Sequence, residues 1–230
     1  MITYIKWDSE FFGYNIGNCV IADYNNFNFS EFKVKSNKFK LVYLFSKEPL
    51  NHKELKLVDI KVTFKKATSI LDESNEVNNI NLFSNNNDDF STLEKLALTS
   101  GEYSRFRIDE NFKNNEFEAL YKKWIRSFVY NKDNVDVIIY KEQRRILGFT
   151  TLEGVNENLC DIGLVAVNQN ERGKKIGTKL INFTLNKAFE KGFKEVKVVT
   201  QFDNKPAINL YEKCGFKRSK LKYIYHYWNL

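Results

Sequence analysis

Residues Asp161–Gly177 read DIGLVAVNQNERGKKIG and residues Asn204–Phe216 read NKPAINLYEKCGF. The first stretch is a hydrophobic strand ending in Leu164-Val165-Ala166-Val167, then a short turn, then a helix start. Successive backbone N–H groups at a helix start, reinforced by the helix dipole, form a site for a phosphorylated ligand. Arg172, Lys174 and Lys175 add point charge, and Gly173 and Gly177 let backbone and ligand approach closely. The second stretch is a short helix. Asn204 suits its N-cap, Pro206 its first turn and Gly215 its end, and Tyr211 lies near its last turn.

Together these stretches resemble the acetyl-CoA-binding core of the GNAT N-acetyltransferases. The family pattern at the turn is Arg/Gln-x-x-Gly-x-Gly/Ala; Arg172 and Gly177 match its first and last positions, and Lys175 takes the inner Gly position. If that position is left-handed, a non-Gly residue costs on the order of 1–2 kcal/mol; at negative φ it costs nothing. The pattern Asn-x-x-Ala-x-x-Leu-Tyr-x-x-x-Gly-Phe is met by Asn204, Ala207, Leu210, Tyr211, Gly215 and Phe216. The resemblance implies acetyl-CoA as co-substrate, with no metal. It implies that Arg172, Gly173, Lys174, Lys175, Ile176, Gly177 and Thr178 hold the CoA pyrophosphate and that Asn204 and Ala207 contact CoA. The Tyr211 hydroxyl then lies near the sulfur, where a phenol protonates the departing thiolate. The strand Leu164–Val167 is implied to bulge and to splay from its parallel neighbour. Its free backbone groups would bind the pantetheine arm. One N–H would face the thioester oxygen, where an aimed donor contributes roughly 3–4 kcal/mol.

Outward from this core, Ile2–Asp8 and Asn18–Asp23 are predicted strands around the loop EFFGYNIG, and Phe29–Asn37 a short helix. Leu41–Ser46, LVYLFS, is a continuous apolar run suited to a strand buried on both faces, and Leu57–Ala67 is a further strand. Asp72–Asp89 is polar at Asn78–Asn81 and Asn85–Asp89 and lacks a helical stripe, which marks a boundary or linker. Ser91–Thr99 is predicted helical, running toward Tyr103. Phe117–Tyr130 is a helix with Phe117, Leu120, Tyr121, Trp124 and Phe128 on one face. Val135–Tyr140, Arg145–Glu153 and Leu159–Val167 read as an antiparallel meander. Gly177–Lys191 is a helix with Ile181, Leu185, Ala188 and Phe189 on its stripe; Glu195–Gln201 is a strand, Lys205–Lys213 a helix and Phe216–Trp228 a final strand. The expected class is α/β with a mixed sheet. The resemblance implies that an incomplete GNAT-like α/β domain over 1–89, on the substrate side, precedes a GNAT acetyl-CoA-binding catalytic domain over 90–230.

The acceptor is addressed by two N-terminal motifs. Trp7-Asp8-Ser9-Glu10-Phe11-Phe12-Gly13 and Gly101-Glu102-Tyr103-Ser104-Arg105-Phe106-Arg107-Ile108-Asp109 resemble segments of the dTDP-fucosamine acetyltransferase subfamily. That resemblance implies a sugar-nucleotide acceptor carrying the 4-amino group of a 4-amino-4,6-dideoxyhexose, with Trp7, Phe12, Tyr103, Ser104, Arg105 and Phe106 as candidate contacts. Arg105 or Arg107 can meet a diphosphate by bidentate hydrogen bonds. Trp7, Phe11, Phe12, Tyr103 or Phe106 can stack on a pyrimidine or on a sugar face. Glu102, Asp109 and Glu153 are candidate proton acceptors by location. Two other readings stand beside this one: acetylation of another amine (a polyamine, an aminoglycoside, a protein N-terminus), and a GNAT fold that binds acyl-CoA without catalysis.

Composition narrows the classes. Hydrophobic residues make up 43% and aromatics 15%, enough for a real core. The net charge of +7 reads first as a solvated surface of a Lys- and Asn-rich chain and equally fits anionic ligands such as CoA or a sugar nucleotide; nucleic-acid binding would explain the charge but not the paired motifs. Cys19, Cys160 and Cys214 are far apart and form no CxxC, and His52 and His226 are isolated, so neither a metal site nor a Cys/His nucleophile pair is expected. MITYIKWDSEFF lacks the charged and apolar regions of a signal peptide, and no window approaches 18 apolar residues. A soluble, cytoplasmic, disulfide-free protein is expected, without membrane or nucleic-acid partners. The aromatic segment Tyr223–Trp228 is a candidate pairing edge for a homodimer.

Overall fold

The computed structural model describes residues 1–69, 79–130 and 134–229. The chain divides into two units: Met1–Val62 with Gln201–Asp203 and Lys220–Leu230, and Thr63–Thr200 with Asn204–Ser219.

The first unit contains β1 (Ile2–Tyr4), α1 (Lys6–Phe12), β2 (Ile16–Ile21), α2 (Phe29–Ser36) and β3 (Leu41–Ser46). It also holds the start of β4 (Lys56–Ala67) and the end of β10 (Lys217–Trp228). The strands run in the order β1-β2-β3-β10-β4. β2 pairs parallel to β3, with α2 as the crossover that parallel neighbours require. Leu41, Val42, Tyr43 and Leu44 are at most 1% exposed, as a strand covered on both faces demands. Phe32 of α2 and Phe39 pack with Val42, Leu44, Tyr225 and Tyr227 in this unit's core. Each fully buried Leu or Phe of this kind contributes about 1.5–3 kcal/mol.

Two expectations are corrected here. Lys6–Asp8, read as strand, is helical: α1 ends at Gly13 with φ 78°, whose N–H caps Ser9 O. The Ser9 hydroxyl donates to Ile5 O at 2.7 Å and accepts from Ile16 N at 2.9 Å, which fixes the helix against the next strand. A helix of 7 residues is too short to show a stripe, so its aromatic run mimicked a strand. The segment Tyr223–Trp228 is not an edge. It pairs antiparallel with β3 from Tyr223↔Ser46 to Trp228↔Leu41, which removes the feature that suggested a homodimer.

The second unit holds β5 (Ile80–Leu82), α3 (Phe90–Ser100), α4 (Arg105–Ile108), α5 (Glu116–Tyr130), β6 (Val135–Glu142), β7 (Arg145–Gly154) and β8 (Leu159–Val167). α6 (Ile176–Glu190), β9 (Glu195–Gln201) and α7 (Lys205–Lys213) follow. The strand order is β4-β9-β8-β7-β6-β5. β5 to β8 form antiparallel pairs, and β8 and β9 are parallel with α6 between them in sequence. Within the stretch expected to be a linker, Ile80–Leu82 is a strand on β6, while residues 72–78 lie outside the described residues. Three residues bounded by asparagines carry too little pattern to be seen as a strand. α6 buries Ile176, Leu180, Ile181, Thr184, Leu185 and Ala188, and Phe189 is 41% exposed instead of on the stripe. It lies one step of about 100° beyond Ala188. This mixed-sheet α/β architecture is the class expected from the sequence.

Cys19, Cys160 and Cys214 are buried and not joined in disulfides. Among the described residues no cluster of three His, Cys, Asp or Glu side chains is arranged to hold a metal, and no helix is long and apolar enough to cross a membrane.

Candidate functional site

β8 and β9 begin as paired neighbours and then part. Their parallel register runs from Leu159↔Glu195 to Ile162↔Val198 and stops, although β8 continues to Val167 and β9 to Gln201. On its other side β8 stays paired with β7, through Val165↔Thr150, Ala166↔Phe149 and Val167↔Gly148. That register shifts between Thr150 and Leu152, so Gly163 and Leu164 together oppose Thr151, which is a β-bulge. Beyond the bulge, Leu164 N donates to Thr151 Oγ1 and Asn168 N donates to Leu147 O. Backbone groups alternate sides along a strand, so Leu164, Ala166 and Asn168 face β7, while Val165 and Val167 turn their N–H and C=O toward the side where β9 no longer pairs. Of the four strand residues singled out in the sequence, Val165 and Val167 therefore carry the ladder groups left open. The Leu164 amide is already used.

The turn after β8 opens on the same end of the unit. A 3-10 turn at Gln169–Glu171 leads into Arg172, Gly173, Lys174 and Lys175, all exposed, and α6 starts at Ile176. α6 has no side-chain cap, so the first-turn amides of Ile176, Gly177 and Thr178 are not taken by a capping side chain. Lys175 is left-handed, with φ 62° and ψ 9°. The conditional cost set by the sequence therefore applies: this lysine sits where the family has glycine and holds about 1–2 kcal/mol of backbone strain. Gly173 has φ 84° with nothing within 4 Å of a Cβ placed on it, whereas at Gly177 a Cβ would lie 3.2 Å from Leu210 of α7. Gly177 thus lets the two helices approach. Lys174 pairs with Glu171 at 2.6 Å, a hydrogen bond that raises the lysine pKa and lowers that of the glutamate. Arg172 lies 3.8 Å from Glu102.

Asn204 caps α7, its side-chain oxygen accepting from Ala207 N at 3.2 Å. The fold thus uses one end of the Asn204 amide and the Ala207 N–H for the cap itself. Tyr211 is 4% exposed and its ring packs against Phe64 and Phe216, with centroids 5.8 and 6.0 Å away. Burial pushes the phenol pKa well above its ordinary value, with a smaller contribution from Cys214. The group is therefore a neutral hydroxyl donor at any ordinary pH.

The second candidate loop lies in the same unit. Gly101 closes α3 against α5: a Cβ there would sit 2.5 Å from the Tyr121 ring and 2.6 Å from Phe117. Ser104 is buried, and its hydroxyl caps α4 by accepting from Phe106 N. Phe106 is 7% exposed and packs on Phe112 and Trp124. The Arg105 guanidinium lies 4.7 Å from the Phe106 ring and that of Arg107 5.4 Å from Phe117. Solvent thus meets Arg107, with Tyr103 and Arg105 half-buried. Of the three acids, Glu102 sits beside Arg172 at the turn before α6. Asp109 is 1% exposed and accepts from Asn111, and Glu153 lies on β7 opposite Asp161. The sequence reading missed α4, because four residues carry no periodicity, and it missed Thr151. In the first unit, Trp7 stacks on Phe11 with centroids 5.3 Å apart, and Phe12 contacts Phe11 and Tyr14.

Comparison with known proteins sets this geometry in a family. Residues 98–216, more than half of the chain, match the family described as Acetyltransferase (GNAT) family. The chain is similar to Spore coat polysaccharide biosynthesis protein SpsD of Bacillus subtilis (strain 168), 26% identical over 141 residues that cover 61% of this chain and 48% of that protein. It is similar to dTDP-fucosamine acetyltransferase of Escherichia coli O6:H1, 28% identical over 128 residues, 55% of this chain and 54% of that protein. The matches thus span about half the length of these curated relatives. A solved GCN5-related N-acetyltransferase from Kribbella flavida superposes with a TM-score of 0.57 over 92% of this chain and 80% of that one, at 8% identity, a likeness of fold alone.

Proposed function

The chain belongs to the GNAT acetyltransferase family, and from that premise we propose that it transfers the acetyl group of acetyl-CoA to the amine of a nucleotide-linked amino-dideoxy sugar. One observation carries the acetyl-CoA part: β8 leaves β9 after Ile162 and turns Val165 and Val167 to the gap, next to a helix start without a cap. In this reading the pantetheine arm takes the place of the missing strand and hydrogen-bonds those backbone groups. The pyrophosphate takes the amides from Gly173 to Thr178, with Arg172, Lys174 and Lys175 supplying charge.

Chemically, the neutral amine attacks the thioester carbonyl. A C–N bond forms, the C–S bond breaks, and negative charge develops first on the carbonyl oxygen and then on sulfur. A backbone N–H of β8 meets the oxygen. Tyr211 donates its proton, or a strong hydrogen bond, to the thiolate. An ordinary phenol is about 1.5 pKa units weaker as an acid than a thiol. Hand-over is therefore favourable only to a thiolate that is itself poorly solvated, as a closed cofactor arm would make it. The proton released by the amine passes to a carboxylate or to water.

The sugar-nucleotide part is supported by two relatives whose names concern a polysaccharide and a dTDP-amino sugar, and by Arg105 and Arg107, which favour an anionic acceptor over a polyamine. Residues 1–89 are assigned to the substrate side, and the roles of Trp7 and Phe12 rest on the sequence resemblance.

The test is thiol release from acetyl-CoA with a panel of dTDP- and UDP-amino-dideoxyhexoses, with spermidine and a peptide as controls. Rapid release with one sugar nucleotide is the expected result. Release only with the controls would move the acceptor to another amine. No release with any acceptor, while CoA binds, would point to an amine outside the panel or to a binding protein in place of an enzyme.

A further inference from the structure

Thr151 on β7 is 0% exposed and stands opposite the two bulged residues Gly163 and Leu164 of β8. Its Oγ1 accepts the Leu164 N–H at 2.9 Å. Gly163 makes room for that oxygen: a Cβ there would lie 3.0 Å from Thr151 Oγ1 and 3.6 Å from the Phe128 ring. The hydroxyl supplies the acceptor that the interrupted ladder does not, and an N–H orphaned at this depth would lose its hydration with nothing in return. The consequence reaches past the bulge. If β8 lost its extra residue and slipped by one against β7, every side chain and backbone group beyond it would change sides. Val165 and Val167 would then turn into the β7 ladder, and Leu164 and Ala166 would face the gap.

We infer that Thr151 is a positioning residue for acetyl-CoA, whose hydroxyl pins the Gly163–Leu164 bulge and so selects the Val165 and Val167 amides as the ones that meet the cofactor arm. This rests on the reading of the β8–β9 gap as the site of that arm.

The test uses the full chain with Thr151→Val, which keeps the shape and removes the oxygen, with Thr151→Ser, which keeps the oxygen, and with Gly163→Ala, which presses on it. CoA binding is measured by calorimetry, the acetyl-CoA KM and kcat by thiol release, and Tm by scanning calorimetry. Thr151→Val should weaken CoA binding and raise the acetyl-CoA KM about tenfold, the scale of one misplaced hydrogen bond, with Thr151→Ser within about twofold of the parent. Gly163→Ala should weaken CoA binding while leaving the hydroxyl in place. A lowered Tm with unchanged CoA affinity in Thr151→Val would reduce Thr151 to a structural residue and overturn the inference. Equal losses in the Ser and Val variants would overturn it as well. If Thr151→Val does not fold, Gly163→Ala decides: parental CoA affinity there refutes positioning by the bulge. Failure of the unmodified protein to bind CoA would instead sink the functional reading, and the inference with it.

Discussion

The turn Arg172–Thr178, proposed to hold the pyrophosphate, and the candidate acceptor loop, Gly101–Asp109, belong to one unit and are built in opposite ways. The turn leaves most of its amides unclaimed, Arg172 N–H, which donates to Gln169 O, being the exception. Gly173 is left-handed with nothing around it, α6 has no cap, and side chains pair only at the rim. The loop claims nearly everything it has. Ser104 caps a helix, Phe106 and Asp109 are buried, and Gly101 faces two rings at about van der Waals overlap. Even the glycines differ in kind: one is needed for its angle, the other for its lack of a Cβ. A site built from backbone keeps its donors available for a ligand. A loop built from packed side chains offers only what remains outside, here the exposed Glu102, Arg107 and Ile108 and the half-buried Tyr103 and Arg105.

Gly101 is where the comparison is most easily broken. A methyl group there overlaps Tyr121 and Phe117, both nearly buried, so the rings must move within a packed core. Gly101→Ala should destabilise the protein by about 3 kcal/mol, read as a fall in denaturant midpoint at constant m-value. A loss below about 1 kcal/mol would mean that the loop is not packed as described.

Tyr211→Phe comes next and tests the chemistry at the end of the turn's own ligand. The ring contacts with Phe64 and Phe216 survive, and only the hydroxyl is lost. The kcat should fall about 100-fold, which is about 2.7 kcal/mol, with CoA affinity within about twofold. Burial raises the phenol pKa above its ordinary value, so Tyr211 remains protonated through pH 10 and beyond. In the parent enzyme no loss of kcat below pH 10 should come from Tyr211. Parental turnover in Tyr211→Phe would remove it from the mechanism.

The same contrast explains what could be read in the sequence. Leu159–Val167, Glu195–Gln201 and Lys205–Lys213 match the observed bounds, because alternating apolar residues, a Gly stop and an Asn cap announce themselves locally. The strand-turn-helix around Arg172–Thr178 was legible for the same reason, since it needs only neighbours in sequence. The acceptor loop was legible as a motif, but its roles were not. Whether Ser104 and Phe106 face a ligand or the interior depends on α5, a separate helix. α1 and β5 were misread because 7 and 3 residues are too few to show a period. Thr151 was invisible because its importance lies in the register of β7 against β8, which no local pattern encodes.

Two smaller effects sharpen the contrast inside the turn itself. Gly173 has φ 84° and open space around it, so Gly173→Ala costs the left-handed strain of about 1–2 kcal/mol, less about 0.5–1 kcal/mol from restricting the unfolded chain, a net loss of about 0.5–1 kcal/mol without repacking. Lys175 occupies the same kind of backbone position with a side chain already present, at φ 62°. Lys175→Gly relieves that strain but gives the unfolded chain back about 0.5–1 kcal/mol of backbone freedom. The net gain should therefore be about 0.5 kcal/mol, seen as a slightly higher denaturant midpoint. CoA affinity should move the other way, falling about threefold at low salt as one exposed positive charge is lost, with the difference shrinking as ionic strength rises. Opposite signs in the two measurements would mean that this chain keeps a strained lysine for its charge. Tighter CoA binding in Lys175→Gly would show instead that the strain is carried into the site, and that the backbone, not the charge, sets affinity there.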